Sequence, residues 1–191
     1  MNATATALPR RTSRLVIRRL RPTDLAAFQA YRSDAELAAY QGWSPLPDDA
    51  TGAFLAEMHG APFFRPGTWF QVGMARAVDD TLIGDIGICL DADGEAAEAG
   101  FTLGTSSQGQ GLATEAVAAV FDWIFASTRA ESIRCITDAR NTASIRLLER
   151  LDMPRIHAAE AIFRGSACME YTYVLKRALP EGAGMDSSTA G

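Results

Sequence analysis

The sequence predicts a mixed α/β domain built on one sheet, and three observations support this prediction. Strand-like and helical patterns follow one another in the order β-α-α-α-β-β-β-α-β-α-β-β. The 191 residues are 48% hydrophobic and 21% charged, as in a soluble globular domain that buries roughly 70% of its unfolded surface. No internal repeat or interdomain linker interrupts the order of elements, so the chain is expected to form one domain.

The first half of the chain is predicted to form one strand, three helices and a hairpin. RLVIRRL is the strand, and Thr23 and Ser33 are the candidate N-caps of the next two helices. A third helix begins near Pro47 and runs through AFLAEM. TWFQVGMARA and TLIGDIGICL flank Asp79 and Asp80, and the second segment alternates between apolar and small or polar residues. This pattern predicts a hairpin that turns at the two aspartates.

The second half contains the clearest helical pattern. EAAEAGFTL is predicted to be a strand, with Glu98 on one face and Phe101 on the other. An apolar stripe with helical spacing then begins just after Gly111. SIRCITD is the next strand, NTASIRLLERL is a helix, and two final strands are joined at Arg164-Gly165-Ser166. The residues of the helical stripe are Ala113, Ala116, Val117, Val120, Phe121 and Ile124.

Composition and charge exclude several classes of protein. The net charge of −5 repels polyanions, so nucleic acid is not expected as the main ligand. No apolar stretch is long enough to span a membrane. Cys89, Cys135 and Cys168 are odd in number and far apart, which favours free thiols in a reducing cytoplasm. His59 and His157 lack metal-ligand spacing, so no metal site is expected.

The segment QGQGLAT, residues 108–114, joins a strand to a helix with almost no side-chain bulk and no charge. Unpaired backbone N–H groups at such a helix start can bind a phosphate closely. A P-loop would need a lysine here, and Lys176 is the only lysine of the chain. A dinucleotide-binding loop would need glycine in place of Thr114 and a parallel sheet upstream. A tight strand-to-helix turn without a ligand is the simpler alternative.

Gln108-x-x-Gly111-x-Ala113 resembles the Q/R-x-x-G-x-G/A signature of the GNAT acetyltransferases, in which backbone amides hold the pyrophosphate of coenzyme A. The resemblance covers roughly residues 14–177. Its segments appear in the order and spacing of the branch that acetylates ribosomal-protein N-termini. These segments are LVIRRLRPTDLAAF, LIGDIGI, AEAGFTLGTSSQGQGLATEAV and DARNTASIRLLERL.

The resemblance implies a GNAT fold, a single mixed and mostly antiparallel sheet of about seven strands flanked by helices. It also implies that this sheet is splayed between its fourth and fifth strands. The domain would occupy residues 14–177, with a flexible N-terminus over 1–13 and a disordered tail over 178–191.

The resemblance further implies a set of coenzyme-binding residues. Phe101, Thr102 and Leu103 would pair through their backbone with the pantetheine arm of coenzyme A. The loop and the first helical residues would hold the pyrophosphate without a metal. The residues of this cradle are Gln108, Gly109, Gln110, Gly111, Leu112, Ala113 and Thr114.

Three polar side chains match family positions near the reacting atoms. Asn141 matches the asparagine that hydrogen-bonds the pantetheine amide region, and Ser144 matches the hydroxyl near the thioester sulfur. Glu98 lies where several relatives carry a catalytic glutamate. From the residues alone, Asn141 could equally be an N-cap, Ser144 a polar residue of a first helical turn and Glu98 a solvated strand residue.

Two segments depart from the family pattern. TSS replaces the usual D-P-E-Y/W run before the loop, and LDMPRI replaces the usual leucine-glycine-phenylalanine ending after the second signature helix. These departures concern the substrate class more than coenzyme binding.

The expected activity is transfer of an acetyl group from acetyl-CoA to a primary amine, without a covalent intermediate. A protein N-terminus is the expected acceptor, because an α-amine of pKa about 7.8 is roughly 10–20% neutral at pH 7, against well under 0.1% for a lysine. A small-molecule amine (an aminoglycoside, polyamine or amino acid) is the alternative acceptor, and a non-catalytic coenzyme-A-binding protein is the alternative of another class. A cytoplasmic location is expected, and homodimers are common among similar proteins.

Overall fold

The computed structural model describes residues 7–178, which contain eight strands and five α-helices. The strands are β1 (Arg10–Arg11), β2 (Leu15–Arg19), β3 (Phe70–Arg76), β4 (Leu82–Leu90), β5 (Ala96–Leu103), β6 (Ser132–Asp138), β7 (Arg155–Phe163) and β8 (Ser166–Lys176). The helices are α1 (Leu25–Arg32), α2 (Ala35–Ala38), α3 (Asp48–Gly60), α4 (Leu112–Ser127) and α5 (Thr142–Arg150). Single 3₁₀ turns cover Pro22–Asp24 and Thr105–Ser107.

All the described strands belong to one sheet in the order β1-β2-β3-β4-β5-β6-β8-β7. Only β5 and β6 are parallel; every other neighbouring pair is antiparallel. The prediction of one mixed, mostly antiparallel sheet flanked by helices is therefore confirmed, as are the hairpins β3-β4 and β7-β8. The sheet has one strand more than the seven expected, because Arg10 and Arg11 pair with Ile17 and Val16.

The strand β1, Arg10–Arg11, lies ahead of residue 14, where the sequence placed the start of the domain. Of the segment 1–13, for which the sequence predicts flexibility, the structure describes residues 7–13, and these include β1. The predicted tail over 178–191 lies outside the described residues, apart from residue 178.

The sheet splits between β5 and β6, the predicted fourth and fifth strands once β1 is set aside. These strands pair only where Ala96–Glu98 lies beside Ser132–Arg134. Beyond that point β5 continues to Leu103 and β6 to Asp138, without pairing to each other. The predicted splay is therefore present, and it leaves a wedge open at the carboxyl ends of both strands.

Helices cover both faces of the sheet and form two hydrophobic clusters. Neighbouring residues of β3 alternate between the clusters, as the period of a strand requires. Val72 and Met74 belong to the larger cluster, which includes the buried residues of α4 and α5. Gly73 faces Leu20 and Leu82 in the smaller cluster, which packs α1 and α3 on the opposite face.

The predicted apolar stripe of α4 is confirmed. Gly111 precedes the helix in a left-handed conformation with φ of 74°, and the helix begins at the next residue. Apart from Ala113, which is half-buried, every residue of the stripe is buried in the larger cluster. The stripe fixes α4 against the sheet, so the helix start is held at the mouth of the split.

The predicted N-caps at Thr23 and Ser33 are wrong. Thr23 lies inside the 3₁₀ turn that Pro22 opens, and this turn runs directly into α1. Asp34, rather than Ser33, has the extended backbone of a cap, and its carboxylate accepts hydrogen bonds from the first N–H groups of α2.

The segment LDMPRI after α5 lacks the leucine-glycine-phenylalanine pattern but keeps the left-handed turn for which that pattern supplies glycine. Asp152 occupies the glycine position with φ of 54°, a left-handed conformation that aspartate tolerates better than most residues. Met153 then takes the aromatic position and is 3% exposed, in the larger cluster. The turn into β7 is therefore built from different residues without loss of core packing.

We expect Gly84→Ala to destabilise the protein by about 2 kcal/mol, because a Cβ at this position has no room. It would lie 2.3 Å from the carbonyl oxygen of Thr102 and 3.0 Å from the Cα of Leu103, at the end of β5. Urea unfolding followed by tryptophan fluorescence measures the effect.

Gly52→Ala is the matched control for this prediction. Gly52 lies inside α3, and a Cβ there meets no atom within 4 Å. The same change should therefore raise the free energy of unfolding by roughly 0.5–1 kcal/mol through helix propensity. A Gly84→Ala protein as stable as the wild type would contradict the close approach of β4 to β5.

Candidate active site

The split between β5 and β6 opens into a cavity of about 500 Å³, which we call the first cavity. Its walls come from β5, the loop before α4, the first turn of α4, β6 and one face of α5. Except for Gln110 and Glu98, the cavity brings together every residue that the sequence placed at the coenzyme and the reacting atoms. These residues are Phe101, Thr102, Leu103, Gln108, Gly109, Gly111, Leu112, Ala113, Thr114, Asn141 and Ser144.

The cradle presents a row of unused backbone donors. Gly109 and Gly111 both have φ of 74°, a conformation that costs glycine nothing and that other residues rarely adopt. Among the hydrogen bonds between described residues, none is donated by a backbone N–H of residues 109–114. The first N–H groups of a helix carry partial positive charge, so this row can bind an anion.

Arg14 holds the cradle from outside. Its Nη1 donates a 2.8 Å hydrogen bond to the carbonyl oxygen of Gln110, a residue that does not line the first cavity. Because the C=O and N–H of one trans peptide unit point in opposite directions, the N–H of Gly111 points away from Arg14. Arg14 therefore orients a donor of the cradle without facing the first cavity itself.

Glu115, in the first turn of α4, fixes Arg14 in place. Its carboxylate accepts hydrogen bonds from the hydroxyls of Thr12 and Ser13, from the backbone N–H of Arg14 and, at 2.7 Å, from the Nε of Arg14. Partial burial acts to raise the pKa of Glu115, but these hydrogen bonds outweigh it and lower the pKa to about 2. The chain just after β1 is thereby tied to the start of α4.

Two glutamine side chains bond to the open edge of β5. Nε2 of Gln108 donates to the carbonyl oxygen of Leu103 at 3.0 Å, and Nε2 of Gln41 donates to that of Phe101 at 3.3 Å. The backbone edge beyond the split is therefore partly satisfied by side chains.

The TSS departure has a structural role in the same region. The hydroxyl of Thr105 donates a 2.7 Å hydrogen bond to Asp34, the cap of α2. This bond and those from the backbone of α2 hold the pKa of the exposed Asp34 carboxyl below its usual value. The loop that leads to the cradle is thus anchored to α2.

Asn141 and Ser144 lie together at the start of α5. The Oδ1 of Asn141 accepts a 3.1 Å hydrogen bond from the backbone N–H of Ser144, so the asparagine is an N-cap, the structural alternative that the sequence admitted. Its Nδ2 is left to donate. Within residues 7–178, the Ser144 hydroxyl forms no hydrogen bond, and both residues line the first cavity.

Glu98 lies apart from these residues. It belongs to the last paired position of β5 and forms an ion pair with Arg134 across the base of the split. Both line a second cavity of about 670 Å³, with Trp69 and Cys89 among its walls. Since Ala97 and Ala99 point into the larger cluster, the strand period places Glu98 on the opposite face. It lies about 7 Å along β5 from Gly100, a residue of the first cavity.

The described residues contain three free cysteines and no candidate metal cluster. Cys135 lines the first cavity, and burial raises the pKa of its thiol to about 12, so it is unreactive at neutral pH. Cys89 and Cys168 are half-buried. Between residues 7 and 178, no three His, Cys, Asp or Glu side chains lie where they could share a metal ion, and none of the helices combines the length and apolar character needed to cross a bilayer.

Sequence reasoning missed the residues that support the site from a distance. Arg14 and Glu115 are 101 positions apart, and Gln41 and Phe101 are 60 apart. No local pattern signals such pairs. The one signal in the sequence is the position of Glu115 in a first helical turn, where a carboxylate is favoured, and the sequence analysis did not use it.

Comparison with known proteins agrees with this geometry. The model of the acetyltransferase (GNAT) domain matches residues 14–154. The uncharacterized N-acetyltransferase p20 of Bacillus licheniformis is 28% identical over 145 residues, which cover 75% of this chain and 81% of that protein. A GNAT-family acetyltransferase from Bacillus anthracis superposes with a TM-score of 0.78 at 21% identity, over 88% of this chain and 98% of its own. RimL, a ribosomal L7/L12 alpha-N-protein acetyltransferase in complex with coenzyme A, superposes with a TM-score of 0.73 at 14% identity, over 86% and 95%.

We expect the Glu115 interactions to stabilise the protein at neutral pH and to be lost in acid. The pKa of Glu115 falls from about 4.3 in the unfolded chain to about 2 in the folded protein, so its contribution is complete above pH 4.3 and disappears as the pH falls towards 2. Glu115→Gln should therefore lower the free energy of unfolding by about 2 kcal/mol at pH 7, a value reduced for the half-exposed Arg14.

Urea titrations between pH 7 and pH 2.5 measure this difference between the two proteins, which should shrink below pH 4. Glu57→Gln, the same change at an exposed position of α3, should show no such dependence. A difference that stays constant with pH would mean that the ionised carboxylate contributes nothing.

Proposed function

The chain belongs to the GNAT acetyltransferase family and transfers an acetyl group from acetyl-CoA to an amine, and we propose that this amine is the α-amine at a protein N-terminus. The observation that supports this choice of acceptor is the small number of carboxylates around the two cavities, compared with the number of positive charges that each class of amine carries.

Neither cavity has the acidic wall that a polycationic acceptor requires. An aminoglycoside or polyamine carries several ammonium groups, each of which needs a carboxylate when it is desolvated. The net charge of −5 is spread over the molecule rather than concentrated at the site. The first cavity is lined by one acidic and two basic side chains, those of Glu36, Arg146 and Arg150. The second is lined by two acidic and two basic side chains, those of Asp91, Glu98, Arg134 and Lys176.

An N-terminal α-amine fits a site with so few carboxylates. It brings a single charge and is partly neutral at pH 7, so one general base suffices to remove its proton. The similarity in fold to RimL, whose acceptor is a ribosomal-protein α-amine, supports the same choice.

The cradle fits the pyrophosphate of acetyl-CoA. Backbone N–H groups of residues 109–114 donate to the phosphate oxygens, and each such charge-assisted hydrogen bond contributes roughly 1.5–3 kcal/mol. Phe101, Thr102 and Leu103 bind the pantetheine arm along the open edge of β5, where the Gln41 amide is displaced. Asn141 donates from Nδ2 to an amide carbonyl of the arm, since its Oδ1 already caps α5.

Glu98 and Ser144 act on opposite sides of the reacting carbonyl. Acetyl-CoA supplies an acetyl thioester, whose carbon forms a new bond to the amine nitrogen as the bond to sulfur breaks. Glu98 removes a proton from the amine, directly or through a water, from the face of the sheet that carries the second cavity. Ser144 donates its hydroxyl hydrogen bond to the departing sulfur; a thiol of pKa near 8.5 is already a tolerable leaving group, so this help is moderate.

The acceptor is tested by release of free thiol from acetyl-CoA in the presence of candidate amines. Peptides with a free N-terminus should give kcat/KM at least tenfold above that of the same peptides with a blocked N-terminus and an internal lysine. Aminoglycosides and polyamines should be poorer substrates than the free peptides. A polyamine or aminoglycoside that reacts faster would overturn the proposed acceptor. Coenzyme binding without transfer to any amine would indicate a non-catalytic role.

We expect Glu98→Gln to lower kcat/KM by roughly 100-fold near pH 7, with partial recovery at high pH, where more of the amine is already neutral. A pH–rate profile on the best acceptor checks this. Arg134→Gln is the matched control, because it breaks the same ion pair but leaves the carboxylate. Equal, pH-independent losses in both variants would show that Glu98 only pairs with Arg134. Ser144→Ala should lower kcat 10- to 100-fold without the recovery at high pH.

A further inference from the structure

We propose that Arg146 and Arg150 form a subsite for the 3′-phosphate of coenzyme A, through which the enzyme distinguishes coenzyme A from dephospho-coenzyme A. The inference rests on the binding of acetyl-CoA in the first cavity. It concerns a part of the coenzyme that neither the cradle nor the split accounts for.

The two arginines lie on the face of α5 that lines the first cavity. They are four residues apart, so they are neighbours on the helix surface. Ala143 and Leu147, on the same face, line the cavity as well. Because Asn141 caps the helix and Arg150 is its last residue, the cavity extends along the whole length of α5, about 13 Å. The cavity therefore continues from the pantetheine region to the two guanidinium groups.

Both arginine side chains are exposed to solvent, and their guanidinium groups are available to a ligand. Within the part of the chain that the structure describes, neither Arg146 nor Arg150 forms a hydrogen bond or an ion pair, although Glu149 is their neighbour. This is unusual for the chain, since seven other arginines pair with carboxylates. These are Arg14, Arg18, Arg21, Arg32, Arg76, Arg134 and Arg140.

Fold stability does not account for the pair. Two like charges at i and i+4 on a helix repel each other and destabilise the helix slightly. Arg150 gains from the negative end of the helix dipole, but Arg146 lies in the middle of α5 and gains nothing there. A ligand with concentrated negative charge would turn this repulsion into a joint attraction.

Coenzyme A carries such a charge on its 3′-phosphate, at the end of the coenzyme opposite to the thioester. Its pyrophosphate is held by neutral backbone donors, and Arg14, the cation beside the cradle, is already paired with Glu115. The 3′-phosphate is separated from the pyrophosphate by one ribose and carries close to two negative charges. Guanidinium groups bind phosphate oxygens in a planar, bidentate manner, and two of them can share one phosphate.

Calorimetric titration with coenzyme A and with dephospho-coenzyme A tests the subsite, because the two ligands differ only in the 3′-phosphate. The wild type should bind coenzyme A at least tenfold more tightly. Arg146→Gln and Arg150→Gln should each weaken coenzyme A binding three- to tenfold and leave dephospho-coenzyme A binding unchanged. The double variant should bind both ligands alike, and added salt should reduce the wild-type preference.

Arg65→Gln is the control for net charge, since Arg65 is exposed and lies outside both cavities. It should keep the full preference for coenzyme A. Equal wild-type affinity for the two ligands would overturn the subsite while leaving acetyl transfer intact. So would variants that lose both ligands equally, which would indicate a structural role. Failure of the wild type to bind either ligand would contradict coenzyme binding itself, and with it the activity.

Discussion

The divergence of two parallel strands is the constraint on which the rest of this structure depends. Beyond the pair formed by Glu98 and Arg134, β5 and β6 separate, and their carboxyl ends face the same open wedge. Each strand leads into a helix at that edge, so the starts of α4 and α5 converge on it. The backbone donors of one helix and the capping Asn141 of the other thus meet at one mouth because of topology, before any side-chain chemistry is considered.

A binding loop made of glycine and backbone cannot hold its own shape. Its flexibility is reduced by contacts with two distant parts of the chain and with the end of β5. Arg14 and Glu115 fix the outer side of the loop, Thr105 ties its entrance to the cap of α2, and Gln108 bonds back to β5. Preorganisation of this kind reduces the ordering that a phosphate ligand must otherwise impose on binding.

The sequence predicted what depends on local order. The stripe of α4 and the hairpins follow from spacing and turn residues, and the structure confirms them. The pairing of Arg14 with Glu115, and of Glu98 with Arg134, depends on contacts between residues far apart in the chain, and no periodicity encodes them. The caps of α1 and α2 were missed for a related reason, because neighbouring Ser, Thr and Asp residues compete for one position and the tertiary backbone decides between them.

The two glutamines that bond to β5 have a consequence for the protein when no ligand is bound. A split sheet exposes strand edges in the middle of the molecule, and bare edges invite strand addition by other chains. Gln41 and Gln108 place amide groups over two carbonyl oxygens of that edge. These amides occupy hydrogen-bond acceptors of the edge and so oppose its pairing with a strand of another chain. Unlike a proline or a bulge in the strand, a side-chain amide can change rotamer, so the same edge can still bind a narrow ligand. Replacing the glutamines by smaller residues would expose these carbonyl oxygens, which lowers the solubility of the ligand-free enzyme and makes the edge of β5 easier for a ligand to reach.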